Sequence, residues 1–204
     1  MNKNIEIEMR GPLTKKKFDD LANLFEAQAK KIAEKERILI DYSVFLEGGI
    51  KDRKKDIRLR VTNGNPEIII KIGEWGGVDQ RREISVFTKN SDFDTLVEIF
   101  GELGFVRGML CVRKSKVYKY KDIEFSLVEV PGHSYYYEAE KMVYSNEDHA
   151  KITKEIQGVC NKLGLTVFSQ KQFFSYINEL NKEANELFDY TAYTPGYFKN
   201  RFGV

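Results

Sequence analysis

The strongest constraint in this 204-residue sequence is an alternation that puts charge on one face of a strand and leaves the other face apolar. Ile5-Glu6-Ile7-Glu8-Met9-Arg10 sends Glu6, Glu8 and Arg10 one way and Ile5, Ile7 and Met9 the other. The pattern recurs in Ile57-Arg58-Leu59-Arg60-Val61, in Ile70-Lys71-Ile72 and in Tyr137-Glu138-Ala139-Glu140. A half-exposed antiparallel sheet alternates in this way, and for any single strand a solvated face is explanation enough. Its repetition in four strands, with both signs of charge, weakens that explanation and favours a closed sheet whose charged faces share an interior.

Element signals fill in the frame. Gly11-Pro12 ends the first strand, Thr14 can cap, and Phe18, Leu21, Leu24, Phe25 and Ile32 recur at helical spacing to about Lys35. Strands are predicted over 37–46, 56–62 and 67–72, the last two joined by the turn Asn63-Gly64-Asn65-Pro66, with another over 81–87. A helix is expected from Ser91 to Leu103, ended by Gly104, then strands over 105–120, 123–130 and 135–143. Helices follow from Asn146 to Leu163, ended by Gly164, and from Ser169 to Phe188. The aromatic tail over 189–204, with Tyr190, Tyr193, Tyr197, Phe198 and Phe202, reads as irregular and packed back on the body. Gly73 to Gly77 reads as flexible and Glu47 to Lys55 as a charged loop. The fold class is α+β, an antiparallel barrel with helices inserted between strands and packed outside.

Composition narrows the partners. With 33 basic against 31 acidic residues there is no one-signed field of the kind that draws a chain to nucleic acid or membrane, so any basic site is local. Cys111 and Cys160 lack the spacing and the histidine partners of a disulfide framework or structural zinc site and read as reduced, buried thiols. No hydrophobic signal core follows Asn2 and no later stretch has the roughly 20 apolar residues of a membrane span, so a cytoplasmic location is expected. His133, in a turn, and His149, on a helix surface, read as bystanders; Tyr135, Tyr136 and Tyr137 read as barrel packing, and Lys15-Lys16-Lys17 as a solvated helix start.

Carboxylates two residues apart on a strand sit on one face within reach of a shared hard cation, since Mg²⁺ and Mn²⁺ prefer oxygen ligands. Arginine and lysine facing the same space neutralise phosphate oxygens, arginine by bidentate contacts and lysine as a point charge. Both sets together describe a polyphosphate site.

The opening Ile-Glu-Ile-Glu-Met-Arg resembles the Glu-x-Glu-x-Lys signature of the CYTH family, the triphosphate tunnel metalloenzymes that include class IV adenylyl cyclases and thiamine and inorganic triphosphatases, with Arg10 in place of the lysine. The resemblance continues in order through Asp56-Ile57-Arg58-Leu59-Arg60, Ile69-Ile70-Lys71, Arg81-Arg82-Glu83, Val112-Arg113-Lys114, Val130-Pro131-Gly132 leading to Glu138-Ala139-Glu140, and Ser169-Gln170-Lys171. It implies an eight-stranded antiparallel tunnel over residues 1–176, with 177–204 packed on the same domain. It implies Glu6, Glu8, Glu138 and Glu140 for metal, Mg²⁺ or Mn²⁺, and Arg10, Arg58, Arg60, Lys71, Arg81, Arg113 and Lys171 for phosphate, with Glu6, Glu8, Arg58 and Lys71 central to catalysis. Val128 stands where the family carries an aspartate, so Glu129 is a metal candidate through a local shift or bulge, or one metal is held differently. Ser115 stands where a second basic residue is common, and Lys114 or Lys116 substitutes only if the register moves. The expected activity is hydrolysis of a small-molecule triphosphate. A class IV adenylyl cyclase, a noncatalytic polyphosphate or nucleotide binder, and a structural β-protein are the alternatives, and a homodimer is left open.

Overall fold

The computed structural model describes residues 4–73, 75–89, 92–144 and 148–204. Its strands are β1 (Asn4–Leu13), β2 (Lys30–Asp41), β3 (Lys55–Thr62), β4 (Asn65–Ile72), β5 (Val78–Phe87), β6 (Arg107–Tyr120), β7 (Ile123–Val130), β8 (Ser134–Tyr144) and β9 (Glu186–Asp189). The helices are α1 (Lys15–Gln28), α2 (Phe93–Glu102), α3 (His149–Lys162), α4 (Gln170–Glu183) and α5 (Tyr197–Phe202). Eight strands run in the order β2-β3-β4-β5-β1-β8-β7-β6, and β6 pairs back onto β2 to close the ring. Every pairing is antiparallel. The two-residue turn between β3 and β4 has Asn63 at φ 49° and Gly64 at φ 79°, the left-handed pair that matches hairpin twist.

Several boundaries differ from the sequence reading. Helix α1 stops at Gln28, and Ala29 is already extended at φ −121° and ψ 162°. Residues 30–35, whose composition favours a helix, instead continue into β2 and pair with β6, for example Lys31 with Tyr118 and Lys35 with Ser115. A long ladder that closes the sheet outweighs a local propensity worth tenths of a kcal/mol per residue, roughly. Ile32, assigned to the apolar stripe of α1, is 44% exposed next to a bulge between Lys31 and Ala33. After Asp41 the chain makes a 3-10 turn at Tyr42–Phe45 rather than extending the strand. Helix α4 ends at Glu183, and β9 then adds to the start of β6, from Arg107↔Asp189 to Leu110↔Glu186, where β7 does not reach. The expected helix starts at Ser91 and Asn146 lie outside the described residues.

Helices cover the outer face of the ring. Ile7 and Met9 of β1, Phe125 and Leu127 of β7 and Ala139 of β8 are buried in one cluster with Phe18, Leu21 and Phe25 of α1 and Ile152, Ile156 and Cys160 of α3. A second cluster joins Ile40 of β2 and Leu59 and Val61 of β3 to Phe93, Val97 and Phe100 of α2 and Phe198 of α5. The aromatic tail belongs to this cluster: Asp94 accepts from the Tyr193 hydroxyl at 2.6 Å and from the Phe198 amide at 3.2 Å. Each fully buried Leu, Ile or Phe contributes about 1.5–3 kcal/mol. The apolar core therefore lies outside the barrel, which leaves the inner face free to be polar.

A third cluster, Trp75, Phe168 and Phe173, brings α4 toward one end of the barrel. The segment before α4 is held against β1 by the Phe168 amide, which donates to the Arg10 carbonyl at 2.8 Å. Gly11 permits that approach, because a Cβ there would lie 1.8 Å from the Thr166 carbonyl oxygen. Gly11→Ala is expected to lower the unfolding free energy by about 1–3 kcal/mol, the range of an overpacked interior, as read by urea denaturation.

Candidate functional site

The ring order decides how charge is distributed inside. β1 and β8 lie four places round the ring from β2 and β3, so their inward faces oppose each other. The β1–β8 wall carries Glu6, Glu8, Glu138 and Glu140, while β2, β3 and β6 present Lys35, Arg37, Arg58, Arg60 and Arg113. All nine line one cavity of about 360 Å³, joined by Arg10, Lys71, Glu67 and Glu83. An acidic wall faces a basic wall across this cavity.

The acidic wall is crowded. Carboxylate oxygens of Glu6, Glu8 and Glu140 lie within 4.8 Å of one another. Burial, reinforced by the neighbouring Glu8 charge, pushes Glu6 up to about 9 and Glu140 up to about 7. Glu8 goes the other way: burial would raise it, but Arg10 and Lys71 hold it well below the carboxylate range. Proton affinity is therefore raised at Glu6 and Glu140 but not at Glu8. Lys71 Nζ sits 2.6 Å from Glu6 and 3.0 Å from Glu83, and Arg10 contacts Glu8, Asp79 at 2.6 Å and Glu138 at 3.3 Å.

The basic wall is under-neutralised. Arg37 and Arg113 are direct cross-strand partners in the β2–β6 ladder, a like-charge pairing that works against the sheet. Among the described residues neither makes an ion pair; Arg113 donates to the Asn185 side chain at 2.9 Å, and the buried Nε of Arg37 has no hydrogen-bond partner. Burial and then the charge of Arg37 lower both Lys35 and Arg60, although Arg60 also meets Glu67 at 2.7 Å. Such a cluster is stabilised by an anion.

Beneath the walls the buried Asp56, Asp79, Arg53 and Arg81 form a network that fixes the wall arginines. Asp56 accepts from Arg58 Nε at 2.8 Å and from Arg81 at 3.0 Å, with Arg53 at 3.6 Å. Arg81 also reaches Asp79 at 3.0 Å and Glu8 at 3.4 Å. Burial would raise the pKa of Asp56, but Arg58, Arg53 and Arg81 together hold it well below the usual carboxylate range. A carboxyl whose folded pKa is depressed stabilises the fold above its unfolded pKa of about 3.9, and that contribution is lost as pH falls below it. Asp56→Asn, which leaves these guanidiniums without their partner, is therefore expected to cost about 3–5 kcal/mol near neutral pH. In chemical denaturation the gap between wild type and variant should narrow as pH drops below about 4.

The structure brings together Glu6, Glu8, Arg10, Arg58, Arg60, Lys71, Arg113, Glu138 and Glu140 around the cavity. Three candidates fall elsewhere. Arg81 is 1% exposed and engaged with Glu8, Asp56 and Asp79, so it braces the site instead of facing the cavity. Lys171 is exposed in the first turn of α4 and lines none of the cavities around the site. Glu129 is also displaced: β7 runs without a bulge, Ser115↔Val128 and Val128↔Tyr136, so Val128 faces the cavity and Glu129 points outward beside Lys15 and Lys114. The same unbroken register leaves Ser115 inward and turns Lys114, exposed, and Lys116, half-buried, to the outer face. Lys35, Arg37, Glu67 and Glu83 were not singled out from the sequence. For Lys35 and Arg37 the available signal was the alternation Ala33, Lys35, Arg37, Leu39, hidden by the helix-like run before it.

At one end a smaller space of about 100 Å³ lies between Arg58, Arg113 and Tyr136 of the barrel and Tyr176, Ile177 and Leu180 of α4. Arg53 stacks over Trp75 there at 4.1 Å, and Arg10 over Phe173 at 5.2 Å.

A closed antiparallel barrel with opposed acidic and basic inner walls defines a tunnel protein. The CYTH domain family matches residues 4–174, and the chain belongs to that family. No curated protein matches the sequence. Among solved structures, one from Pyrococcus horikoshii is 18% identical over 85% of this chain and 98% of its own, with a TM-score of 0.69. A candidate adenylate cyclase from Vibrio parahaemolyticus is 12% identical over 84% of this chain and 98% of its own, with a TM-score of 0.62. A candidate adenylyl cyclase from Hippeastrum, described as having a dominant triphosphatase activity, is 13% identical over 83% of this chain and 90% of its own, with a TM-score of 0.52. At these identities the likeness is one of fold. Among the described residues no helix is long and apolar enough to cross a membrane.

Proposed function

We propose that this protein hydrolyses a triphosphate, inorganic tripolyphosphate or an organic triphosphate, inside the barrel with the help of Mg²⁺ or Mn²⁺. The observation that carries the reading is the opposition of Glu6, Glu8, Glu138 and Glu140 to Lys35, Arg37, Arg60 and Arg113 across one cavity. The buried oxygen donors of Glu6, Glu8 and Glu140, within 4.8 Å of one another, suit a hard cation, and Glu138 borders them. Such a cation, when bound, supplies Lewis acidity toward phosphate oxygens and a more acidic water.

The chain's own groups do the remainder. Arg37 and Arg113, with no carboxylate partner among the described residues, bind phosphate oxygens, and the charge of Arg37 that bears on Lys35 and Arg60 is offset when that negative charge arrives. Lys71, poised between Glu6 and Glu83, is placed to follow the charge from carboxylate to phosphate. Cys111 lines the smaller space, but burial pushes its thiol up to about 11, so it stays protonated and is a poor nucleophile; attack falls to water. The dominant triphosphatase activity described for the Hippeastrum protein is in keeping with this choice over cyclisation.

Incubation with tripolyphosphate, and separately with ATP, under Mg²⁺ or Mn²⁺ separates the readings by product. Hydrolysis releases orthophosphate, whereas a cyclase releases cyclic nucleotide and pyrophosphate. Tight ligand binding without turnover in either metal would instead mark a noncatalytic binder. Glu8→Gln is expected to reduce metal-dependent turnover at least about 100-fold, and full activity would remove Glu8 from the mechanism. Arg37→Ala should raise KM for the triphosphate about tenfold or more, the worth of one charge-assisted contact, in steady-state kinetics.

A further inference from the structure

We infer that His133, Glu179 and Glu183 form a second metal site, outside the tunnel, for Zn²⁺ or a similar late first-row divalent ion. The three donors come from two elements. His133 lies in the turn between β7 and β8, its amide bonded to the Val130 carbonyl at 3.0 Å, and Glu179 and Glu183 stand one turn apart on the last stretch of α4. Their donor atoms lie within 4.8 Å of one another.

Two further observations favour a metal over a plain surface ion pair. First, His133 is pre-oriented: its Nδ1 lies 2.7 Å from the Ser134 hydroxyl, itself 2.8 Å from the Tyr176 hydroxyl, which leaves Nε2 aimed at the glutamates. An imidazole tied at one nitrogen and open at the other is the usual arrangement of a metal-ligating histidine. Second, Nε2 stands 3.5 Å from Glu183 Oε2. That is long for a hydrogen bond, which prefers roughly 2.7–3.2 Å. It matches the spacing of two ligands around a tetrahedral ion, about 3.4 Å for bonds of about 2.0–2.1 Å. Glu179 and Glu183 repel each other along the helix, and among the described residues no lysine or arginine forms an ion pair with either. One imidazole and two carboxylates suit a borderline ion with a water in the fourth position, whereas the all-carboxylate trio in the tunnel suits a hard one.

The site would fasten α4 to the barrel. The adjoining face of this helix, through Tyr176, Ile177 and Leu180, lines the smaller space at the tunnel end, and Tyr176 also bonds the serine that orients His133. Metal at His133 would therefore hold the helix that closes that end.

The test is zinc titration of the full chain after chelator stripping, by calorimetry and by thermal shift, with Co²⁺ absorption reporting tetrahedral nitrogen and oxygen ligation. Wild type and Glu8→Gln should both take up zinc with a raised melting temperature. Glu183→Gln, an exposed change that leaves the fold intact, and His133→Ala should each weaken zinc binding at least tenfold and abolish the cobalt bands. Zinc binding unchanged in both of these variants, lost only in Glu8→Gln, or missing in wild type would overturn the assignment.

Discussion

The pairing of β2 with β6 is the constraint on which the rest of the molecule depends. Its ladder runs from Lys30↔Lys119 to Asp41↔Met109 and converts a twisted sheet into a ring. Once the ring is closed, period-two alternation has only one outcome: the apolar set goes outward beneath the helices and the charged set goes inward. The same closure places Arg37 opposite Arg113, an arrangement that disfavours the ladder by itself and is tolerable only because the rest of the barrel is stable enough to hold it. The hydrophobic clusters under α1, α2 and α3 supply that stability.

Burying so much charge requires pairing, and the pairing is uneven in an informative way. Arg10, Arg58, Arg60, Arg81 and Lys71 all have carboxylate partners, and Asp56 and Asp79 are spent entirely on bracing. Arg37 and Arg113 stand apart from this network. On the facing wall burial, reinforced by the charge of Glu8, pushes Glu6 and Glu140 above the usual carboxylate range. The basic wall thus lacks an anion at Arg37 and Arg113, and the acidic wall, where Lys71 and Arg10 already meet Glu6, Glu8 and Glu138, leaves Glu140 without an ion pair among the described residues; a metal-bound triphosphate would answer both.

Much of this was legible in the sequence where side-chain period and local propensity agree. Ile5 to Arg10 and Tyr137 to Glu140 alternate without interruption, and both segments became inner walls in register, Glu8 opposite Glu140 and Arg10 opposite Glu138. The β3–β4 hairpin was legible because Asn63-Gly64 admits few other turns. The sequence misled where a non-local pairing overrode a local preference. Lys30 to Lys35 has helix-forming residues, and only the partner strand β6, 80 to 89 residues away in the chain (Lys35↔Ser115, Lys30↔Lys119), makes it a strand; Lys35 was lost with it. Val128 and Glu129 were ambiguous because a shift of one residue exchanges faces, and nothing local to β7 declares its register. Strand β9 escaped notice because Glu186 to Asp189 is too short to show a period. Lys171 matched by order along the chain, yet α4 directs its apolar side to the barrel and leaves that lysine in solvent.

The central claim is that the two opposed walls act together on one ligand. The most direct measurement is a crystal structure of the protein with Mn²⁺ and a nonhydrolysable triphosphate analogue, with the metal located by its anomalous signal. The account predicts manganese among Glu6, Glu8 and Glu140 and phosphate oxygens against Arg37, Arg60 and Arg113. A ligand bound outside the ring, or a manganese site away from the β1–β8 wall, would contradict it.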